Sequence, residues 1–471
     1  MPLLFTRLTW FLFVLSLGAL AWGPDPTWAQ GTVVHVDGLT RFMAVVTTFF
    51  SGIIQSFSRR YMAGAKRLNA FYGRLFALTL VVVLLTAANH LVLFVAAWAA
   101  MGWLLADLIG HVRNWPQARA AGRYARGHFL AGSALVAGAL GLLGVQAGTA
   151  TIQGVLTAVP ALSSQTVALA ALLLLGAAMI QCALVPFHRW LLSSMTAPTP
   201  VSGFMHAGLV NAGGILLARF APVAFEVSWV MLTIAVVGGG SALLGQAWIL
   251  VQTDVKRQLG ASTVAQMGFM VLQCGLGLVP AALTHLLLHG FYKAYLFLAT
   301  GSAAQSPPSP GASAADSSLA GDAVALGAAG AGAVLFAALT GKSLTALDSG
   351  SLLTLFVVLA VLHATRALVR RAALPAGARL WAVPAALLSA IGLYALVYNG
   401  VSSLLAGLPM ATVHAPLSPV HGVLAAVFVA AYVALDRGWH RASTRLYVLL
   451  VNTSQPFSTT LLHKRDQYHA Y

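Results

Sequence analysis

Long apolar stretches alternate with short polar segments along almost the whole chain. Each stretch holds roughly 20 mostly apolar residues, the length that a helix needs to cross the hydrocarbon core of a bilayer. The pattern predicts an all-α polytopic membrane protein with about 14 transmembrane helices. These lie near residues 5–22, 38–57, 74–88, 89–110, 128–148, 166–186, 200–220, 227–250, 259–278, 281–301, 321–345, 350–368, 381–403 and 419–436.

Composition supports this prediction. The 471 residues are 59% hydrophobic and only 8% charged, whereas a soluble domain carries about 25% charged residues. A soluble enzyme, a disordered protein and a disulfide-stapled secreted domain are thereby excluded. Cys182 and Cys274 both fall in apolar stretches, so we expect buried thiols rather than a disulfide or a cysteine-based zinc site.

The net charge of +16 comes from basic residues that cluster in alternate connecting segments, such as 58–74 and 111–127. The positive-inside rule accounts for this asymmetry better than nucleic-acid binding does. It predicts a multi-pass membrane protein with both termini in the cytoplasm. The first span is ambiguous, because an apolar run ending in TWA before Gln30 is also typical of a cleaved signal peptide.

Pattern and composition divide the chain into five parts. A segment rich in Pro, Ser, Ala and Gly follows the tenth span and is predicted to be a flexible cytoplasmic linker. The predicted parts are an N-terminal helix or signal-like segment (1–35), a helical bundle (36–301), the linker (302–322), the remaining bundle helices (323–436) and a cytoplasmic tail (437–471).

Ionisable residues inside a membrane span are costly, so each one suggests a function. His285, His289 and Lys293 are spaced i, i+4, i+8 and would share one helix face. Histidine titrates near neutral pH, and a stripe of two histidines and a lysine bridged by water predicts a proton path. Alternatively, the histidines bond backbone carbonyls between packed helices. A zinc site is disfavoured because no fourth ligand is evident.

The segment 185–220 carries Pro186, Pro198 and Pro200, which interrupt helix geometry at membrane depth. Irregular backbone is tolerated there where it is buried in protein or lines a wet cavity, and interrupted helices form ion sites in transporters. His206 lies in the span that follows. A kinked structural helix explains the prolines equally well.

Three further charged residues lie at helix ends. Asp254 and Lys256 stand at a predicted cytoplasmic end, where they form either a positive-inside anchor or a channel mouth. Lys342 closes an apolar run and is either a snorkelling lysine or a membrane-buried ionisable group.

Three segments together resemble the large antiporter-like subunits of respiratory complex I (the NADH-ubiquinone oxidoreductase chain 5 type) and of Mrp-type cation antiporters. They are PFHRWLLSSMTAPTPVSGFMHAG, QTDVKRQLGASTVAQMGFM and HLLLHGFYKAYLFLATGS, in that order. VDGLTRFMAVV, at 36–46, resembles an early helix of that family. The resemblance implies two inverted five-helix repeats, each with one interrupted helix, here expected in 166–198 and 321–345.

The resemblance also implies roles for individual residues. Lys293 and His289 would belong to the family's central polar axis, and Lys342 would match the ionisable residue of its second interrupted helix. The family's first half-channel pairs a glutamate with a lysine, but the matching positions here are Ala99 and Gln181. An uncharged glutamine cannot relay a proton by changing its charge, so this half-channel is expected to be altered or inactive. Asp107 is a weak substitute for the glutamate.

Within the superfamily, HRWLLSSMTAPTPVSGFMHAGLVNAGGILLARFAP most resembles membrane subunits of two-component bacterial systems that accumulate inorganic carbon. Their partner is a zinc protein related to β-carbonic anhydrases. The resemblance implies a transporter subunit, not an enzyme, with no catalytic residue, metal or cofactor of its own. Proton or sodium flow would drive CO2 hydration or bicarbonate uptake through the partner's zinc site.

Three alternatives stay open at this point. The chain could be a proton-pumping subunit of a complex I-like oxidoreductase or a subunit of a Mrp-type sodium/proton antiporter. It could also be a structural membrane anchor for a peripheral zinc enzyme, an interpretation that the missing Glu–Lys pair favours and the histidine–lysine stripe opposes.

Overall fold

A computed structural model describes residues 1–22, 31–303, 319–369, 375, 377–408, 417–439 and 443–461. The regular secondary structure in these ranges is helical, apart from two isolated β-bridges. The helices are α1 (Pro2–Ala21), α2 (Gly38–Tyr61), α3 (Leu68–Ala87), α4 (Leu91–Ile109), α5 (Pro116–Ala147), α6 (Ile152–Ala158), α7 (Ser164–Gln181), α8 (Arg189–Ser193), α9 (Thr199–Ala207), α10 (Ala212–Arg219), α11 (Ala221–Phe225), α12 (Ser228–Ile249), α13 (Val255–Gly275), α14 (Val279–Leu298), α15 (Thr300–Ala303), α16 (Leu319–Thr340), α17 (Ser349–Val369), α18 (Val383–Leu405), α19 (Pro419–Asp436) and α20 (Thr444–Thr453).

Twelve helical segments of the described chain are long and apolar enough to cross a membrane, with α9 and α10 counted as one. The helices α13 and α14 have 21 and 20 residues but carry more polar side chains. Each of the fourteen predicted segments coincides with a helix or with the α9–α10 pair. The all-α membrane fold is therefore confirmed, and the count of fourteen spans stays a prediction.

The N-terminal helix α1 packs along α2. Trp10 Nε1 donates to Ser56 Oγ at 3.0 Å, and Gln55 Nε2 donates to Thr9 Oγ1 at 2.8 Å. Only 17% of the α1 span is buried, so most of its circumference faces outward. The cleavage site proposed before Gln30 lies outside the described residues.

One of the two expected helix interruptions occurs where the prolines predicted it. The helix α7 ends at Gln181, and an irregular segment with the short α8 leads into α9. A second break follows at Gly208, where a 3-10 turn separates α9 from α10.

The interruption expected in 321–345 is not found, since α16 is continuous from Leu319 to Thr340. No proline falls in this helix, and its hydrogen-bond ladder runs on until Gly341, which adopts φ +66°. Glycine tolerates this left-handed conformation and commonly ends helices. Residues 304–318, most of the predicted linker, lie outside the described residues, and α16 begins within the predicted linker range.

The helices α12 and α13 pack with their backbones in direct contact. Gly245 on α12 lies directly against the backbone of Ala265, and Gly268 on α13 lies against the backbone of Ala242. Small residues allow this approach, which is how membrane helices gain packing energy without a hydrophobic driving force. The pair fixes the start of α13, which carries part of the candidate site.

The buried apolar residues form two clusters. The larger one runs through α2–α14, and the smaller one lies where α16–α19 pack against α12–α14. Cys182 and Cys274 are buried free thiols, as predicted.

The two ends of the bundle differ in charge. Exposed arginines on the last turn of α2 and around the start of α5 mark one end, which we call the arginine-rich end; they include Arg59, Arg60, Arg113, Arg119 and Arg123. The opposite end holds a buried ion pair between Asp37 and Arg219.

Residues 443–461, which we call the C-terminal strap, fold back onto the arginine-rich end. Trp248 Nε1 donates to Thr453 Oγ1 at 3.0 Å, and the backbone N–H of Phe457 donates to Ser193 Oγ at 2.9 Å. The ring of Phe457 stacks on Tyr124 with 4.4 Å between centroids. The polar–apolar pattern of the tail did not predict this docking.

Candidate functional site

Lys293 is the centre of the candidate site. Its side chain is completely buried on α14. Its Nζ donates to the carbonyl oxygen of Leu259 at 2.9 Å and to the hydroxyl of Ser262. Both acceptors belong to the first two turns of α13. The lysine thus reaches across a helix interface to neutral oxygens, with no carboxylate among these partners.

His206 reaches the same part of α13 from another direction. Its ring is fully buried on α9, and its Nδ1 lies 3.0 Å from the hydroxyl of Thr263, the residue after Ser262. The ring also stacks on Phe297, one turn beyond Lys293, with 4.3 Å between centroids. Lys293 and Lys256 both lie within electrostatic range of His206.

The two histidines of the predicted stripe lie further along α14. The rings of His285 and His289 are 5.9 Å apart between centroids and nearly parallel, at 28°. Neither ring nitrogen of His289 has a hydrogen-bond partner among the described residues, and the same is true of the Nε2 atoms of His206 and His285. At these nitrogen atoms, therefore, the histidines do not form the hydrogen bonds to backbone carbonyls that a structural role would require.

A cavity of about 630 Å³ opens at the arginine-rich end of the bundle and extends toward this cluster. Asp254 and Lys256, the predicted channel mouth, both line it, together with Thr199 of α9, Leu298 of α14 and Pro456 of the C-terminal strap. Lys293 precedes Leu298 by five residues, about 7.5 Å along the helix axis. The cavity therefore ends close to Lys293.

The two mouth residues differ in what they contact. The Asp254 carboxylate accepts the backbone N–H of Arg257 at 2.8 Å and caps α13. Lys256 Nζ lies 3.5 Å from the carbonyl oxygen of Ala197 and is half-buried. A cap accounts for Asp254 structurally, whereas Lys256 faces the interrupted segment between α8 and α9.

Lys342 lies apart from the α14 stripe. It follows the end of α16, and its Nζ is 5.7 Å from the ring centroid of Tyr398 on α18. Further along α18, the backbone of Leu404 contacts Gly38, next to Asp37. Lys342 therefore belongs to the end of the bundle opposite the arginine-rich end.

The positions of the family's first half-channel hold no exchangeable proton carrier. Gln181 is buried and donates to the carbonyl oxygen of Leu209 at 2.9 Å, across the break between α9 and α10. Asp107 forms ion pairs with Arg74 and Arg126, at 3.0 and 2.8 Å. These partners hold Asp107 at the arginine-rich end of α4, away from Gln181.

Sequence reasoning missed the buried pair of Asp37 and Arg219. Asp37 caps α2 by accepting the Thr40 N–H at 2.8 Å, and Arg219 also donates to the carbonyl oxygen of Thr86 at 2.5 Å. Burial raises the pKa of the Asp37 carboxyl. The Arg219 charge and hydrogen bonds from Arg219 and Thr40 outweigh burial and hold that pKa below 3.8. An aspartate directly before an apolar helix was the available signal.

The cluster contains groups that can carry a proton. Lys293 is buried, and His289, whose ring nitrogens have no partner among the described residues, lies one helix turn away on α14. Among the described residues, no three His, Cys, Asp or Glu side chains converge as a metal site would need.

Two family profiles match the sequence. The sequence profile described as "NADH:quinone oxidoreductase/Mrp antiporter, TM" matches residues 88–314. The profile of the "NADH-Ubiquinone oxidoreductase (complex I), chain 5 N-terminus" matches residues 31–72. Together they account for more than half of the chain. The chain thus contains membrane domains of the NADH:quinone oxidoreductase/Mrp antiporter type.

Several curated proteins with similar sequences are named as inorganic carbon transporter subunits. The chain is 37% identical, over 59% of its length, to the probable inorganic carbon transporter subunit DabB1 of Halothiobacillus neapolitanus, and covers 52% of that protein. It is 39% identical, over 57% of its length, to the probable inorganic carbon transporter subunit DabB of Bacillus subtilis, and covers 54% of it. The chain thus spans about half the length of these relatives.

A solved structure supports the antiporter-family fold. The Mrp complex from a Dietzia species contains a chain that superposes with a TM-score of 0.60 at 23% identity. The superposition covers 99% of this chain and 51% of the Mrp chain. At this identity the likeness concerns the fold alone.

Proposed function

We propose that this chain is the cation-conducting membrane subunit of an energy-coupled complex that accumulates inorganic carbon. The observation that carries the proposal is the fully buried Lys293, held by α13 oxygens and flanked by His206 and His289. A buried ionisable group in a membrane protein is costly to keep without a function. The similarity to proteins named inorganic carbon transporter subunits supports the choice of substrate.

In the proposed route a cation, proton or sodium, enters the cavity at the arginine-rich end, past Lys256. A proton would then pass to Lys293, which lies about one and a half helix turns beyond Leu298 in the cavity wall. Rotation of a lysine side chain about its flexible stem would carry the proton from the α13 oxygens toward His206 or His289.

His285 continues this proposed route along α14, because its ring is nearly parallel to that of His289. We assign Lys342 to the opposite end of the route, where it stands beside Tyr398. Asp254 is assigned to the mouth of the cavity, where it caps α13.

The proposed route uses one half of the bundle only. A glutamine bonded to a backbone carbonyl cannot change charge, and an apolar cavity of about 20 Å³ lies beside it at the α9–α10 break. Phe204, Leu209 and Leu286 are among the residues that line this cavity. A cavity of that character stays dry, which opposes a second proton route there.

We further propose that the carbon chemistry takes place on a second protein. The partner would be a DabA-like zinc protein, whose zinc would supply the water-activating and Lewis-acid chemistry for CO2 or bicarbonate. Cation flow through this chain would make that reaction one-directional. The proposed setting is a bacterial inner membrane with both termini in the cytoplasm, in line with the arginine-rich end.

The family name itself favours a second candidate, a pumping subunit of a complex I-like oxidoreductase or of a Mrp-type sodium/proton antiporter. The two candidates use the same buried lysine and differ in the partner. A neighbouring gene for a large zinc protein favours carbon accumulation. Neighbouring quinone-oxidoreductase or small Mrp subunits favour the alternative.

The test is uptake of labelled inorganic carbon by cells that lack their own carbonic anhydrase. The cells would express the complete chain with its neighbouring gene product. Uptake should need both proteins and collapse with an uncoupler. No uptake from an assembled complex would refute carbon transport and favour the alternative.

A set of substitutions then tests the route. Lys293→Met removes the charge but keeps the length of the side chain, so it should abolish uptake while the complex still assembles. Lys66→Met makes the same change at an exposed position between α2 and α3 and should leave uptake intact. Gln181→Ala should be mild. Normal uptake by Lys293→Met would refute the route, and total loss in Gln181→Ala would mean that the first half conducts.

A further inference from the structure

A second cavity at the arginine-rich end is separate from the proposed route. It lies between α4 and α5, has a volume of about 580 Å³ and opens to the surface. Four arginines and one carboxylate line it: Arg113, Arg119, Arg123, Arg126 and Asp107. At its floor, Gly122 of α5 lies so close to Gly110 that an added Cβ would come within 3.0 Å of the Gly110 Cα. A larger side chain at position 122 would therefore force α4 and α5 apart.

The charges of this cavity are not balanced within the protein. Asp107 is already paired twice, with Arg126 at 2.8 Å and with Arg74 at 3.0 Å. The guanidinium groups of Arg113, Arg119 and Arg123 have no hydrogen bond or ion pair with any described residue. Three guanidinium groups therefore face the cavity with free donors. Guanidinium forks match the oxygens of phosphate better than those of most other groups.

The depth of the cavity along the membrane normal suggests that this phosphate would belong to a lipid headgroup. The Arg126 guanidinium stacks over Trp103 at 4.3 Å, and Trp103 is half exposed on the outside of α4. Exposed tryptophans of membrane helices concentrate where headgroups meet acyl chains. One turn beyond Arg126, Leu130 is also half exposed on α5. Cationic and apolar contacts thus follow one another along the same helix.

We propose that the α4–α5 cavity binds the headgroup phosphate of an anionic phospholipid, with an acyl chain along Trp103 and Leu130. Basic pockets between membrane helices at a positively charged end suit such headgroups. Inorganic phosphate shares the guanidinium chemistry but gains nothing from the apolar surface. A bound lipid would neutralise the three free arginines and join α4 to α5 across the glycine contact.

Binding can be measured on the purified full-length chain in neutral detergent. The probes are phosphatidylglycerol, phosphatidylcholine and inorganic phosphate, followed by native mass spectrometry and thermal melting. The double substitution Arg119→Gln/Arg123→Gln should weaken phosphatidylglycerol binding by about 30-fold. Each arginine near an anionic lipid surface strengthens binding by about 5-fold, and the two effects multiply. The control, Arg59→Gln/Arg60→Gln, removes two exposed arginines at the same end outside the cavity and should bind as the native chain does.

Each other outcome overturns the proposal in a defined way. Equal binding of phosphatidylglycerol and phosphatidylcholine would mean apolar adhesion without charge recognition. Tight binding of inorganic phosphate with no gain from the lipid would mean a free-phosphate site. Equal weakening in both double variants would mean a general surface-charge effect. Lipid binding is measured without transport, so this proposal can fail while the proposed carbon transport holds, and the reverse.

Discussion

At the scale of single residues, buried charge is satisfied in two different ways. Lys293 has only neutral oxygens as hydrogen-bond partners, whereas Asp37 has a full counter-ion in Arg219. The first arrangement leaves a charge that can move, and the second leaves one that is fixed. This contrast is the physical reason for assigning conduction to Lys293 and structure to Asp37.

The fixed pair leads to a stability prediction. Asp37→Asn keeps the cap on α2 but leaves Arg219 buried without a counter-ion, so it should cost about 3–5 kcal/mol in the free energy of unfolding. Asp348→Asn, at the cap of α17 with no arginine beside it, should cost little. Thermal melting in detergent measures both. Equal losses would show that Arg219 contributes nothing beyond the cap.

The pH dependence of this contribution follows from its sign. The pKa of Asp37 is below 3.8 in the folded chain, so the pair stabilises fully above the unfolded pKa of about 3.9. Its contribution is lost as the pH falls through the folded pKa. The difference in melting temperature between the native chain and Asp37→Asn should therefore stay constant from pH 5 to 8 and shrink in acid below about pH 4.

At the scale of helices, α13 is the element that assembles the site. It supplies the partners of Lys293 and His206 within two turns, and glycine contacts with α12 hold it in place. Its position along α12 therefore sets the geometry of the conducting groups.

Moving α13 should accordingly damage stability and transport together. Gly245→Ala adds a methyl group inside the contact with the Ala265 backbone, and overpacking of this kind costs about 1–3 kcal/mol. Gly240→Ala, on the exposed face of α12 with open space around it, is the matched control. Melting and uptake of the two variants should diverge. A normal Gly245→Ala protein would mean that α12 shifts freely.

The same scale explains what could be predicted from sequence. Run length located the helices because a span must be about 20 residues long, and prolines located the break after α7. Lys293 and the histidines were found because charge in an apolar run is rare. Ser262 and Thr263 were missed because their roles depend on which turn of α13 meets α14 and α9. The continuous α16 was missed because the expected break came from the resemblance, with no proline to cause one.

At the scale of the whole molecule, the C-terminal strap forms part of the wall of the entrance cavity. The C-terminal strap crosses α5, α8 and α12 and contributes Pro456 to the wall of the entrance cavity. Residues more than 250 positions apart thus meet at the mouth of the proposed route. We therefore expect docking of the strap to limit access to the cavity that leads toward Lys293.

Loosening the strap should open the cavity. Phe457→Ala removes the stack on Tyr124, and an aromatic pair is worth about 0.5–1.5 kcal/mol, so opening should increase roughly 2- to 12-fold. A charged maleimide reacting with Met195→Cys, in the cavity wall, reports the change. Tyr447→Ala, exposed on α20, should leave the labelling rate unchanged. An unchanged rate in Phe457→Ala would mean that the strap does not limit access.

The ion pair between Asp37 and Arg219 also orders the making of the protein. The two residues are 182 positions apart, and at a synthesis rate of about 5–20 residues per second Arg219 leaves the ribosome roughly 10–40 s after Asp37. During that interval Asp37 does not yet have Arg219 as its partner. The end of the α2–α3 hairpin at Asp37 therefore gains its ion pair only after α10 has been synthesised, although α2 and α3 leave the ribosome much earlier.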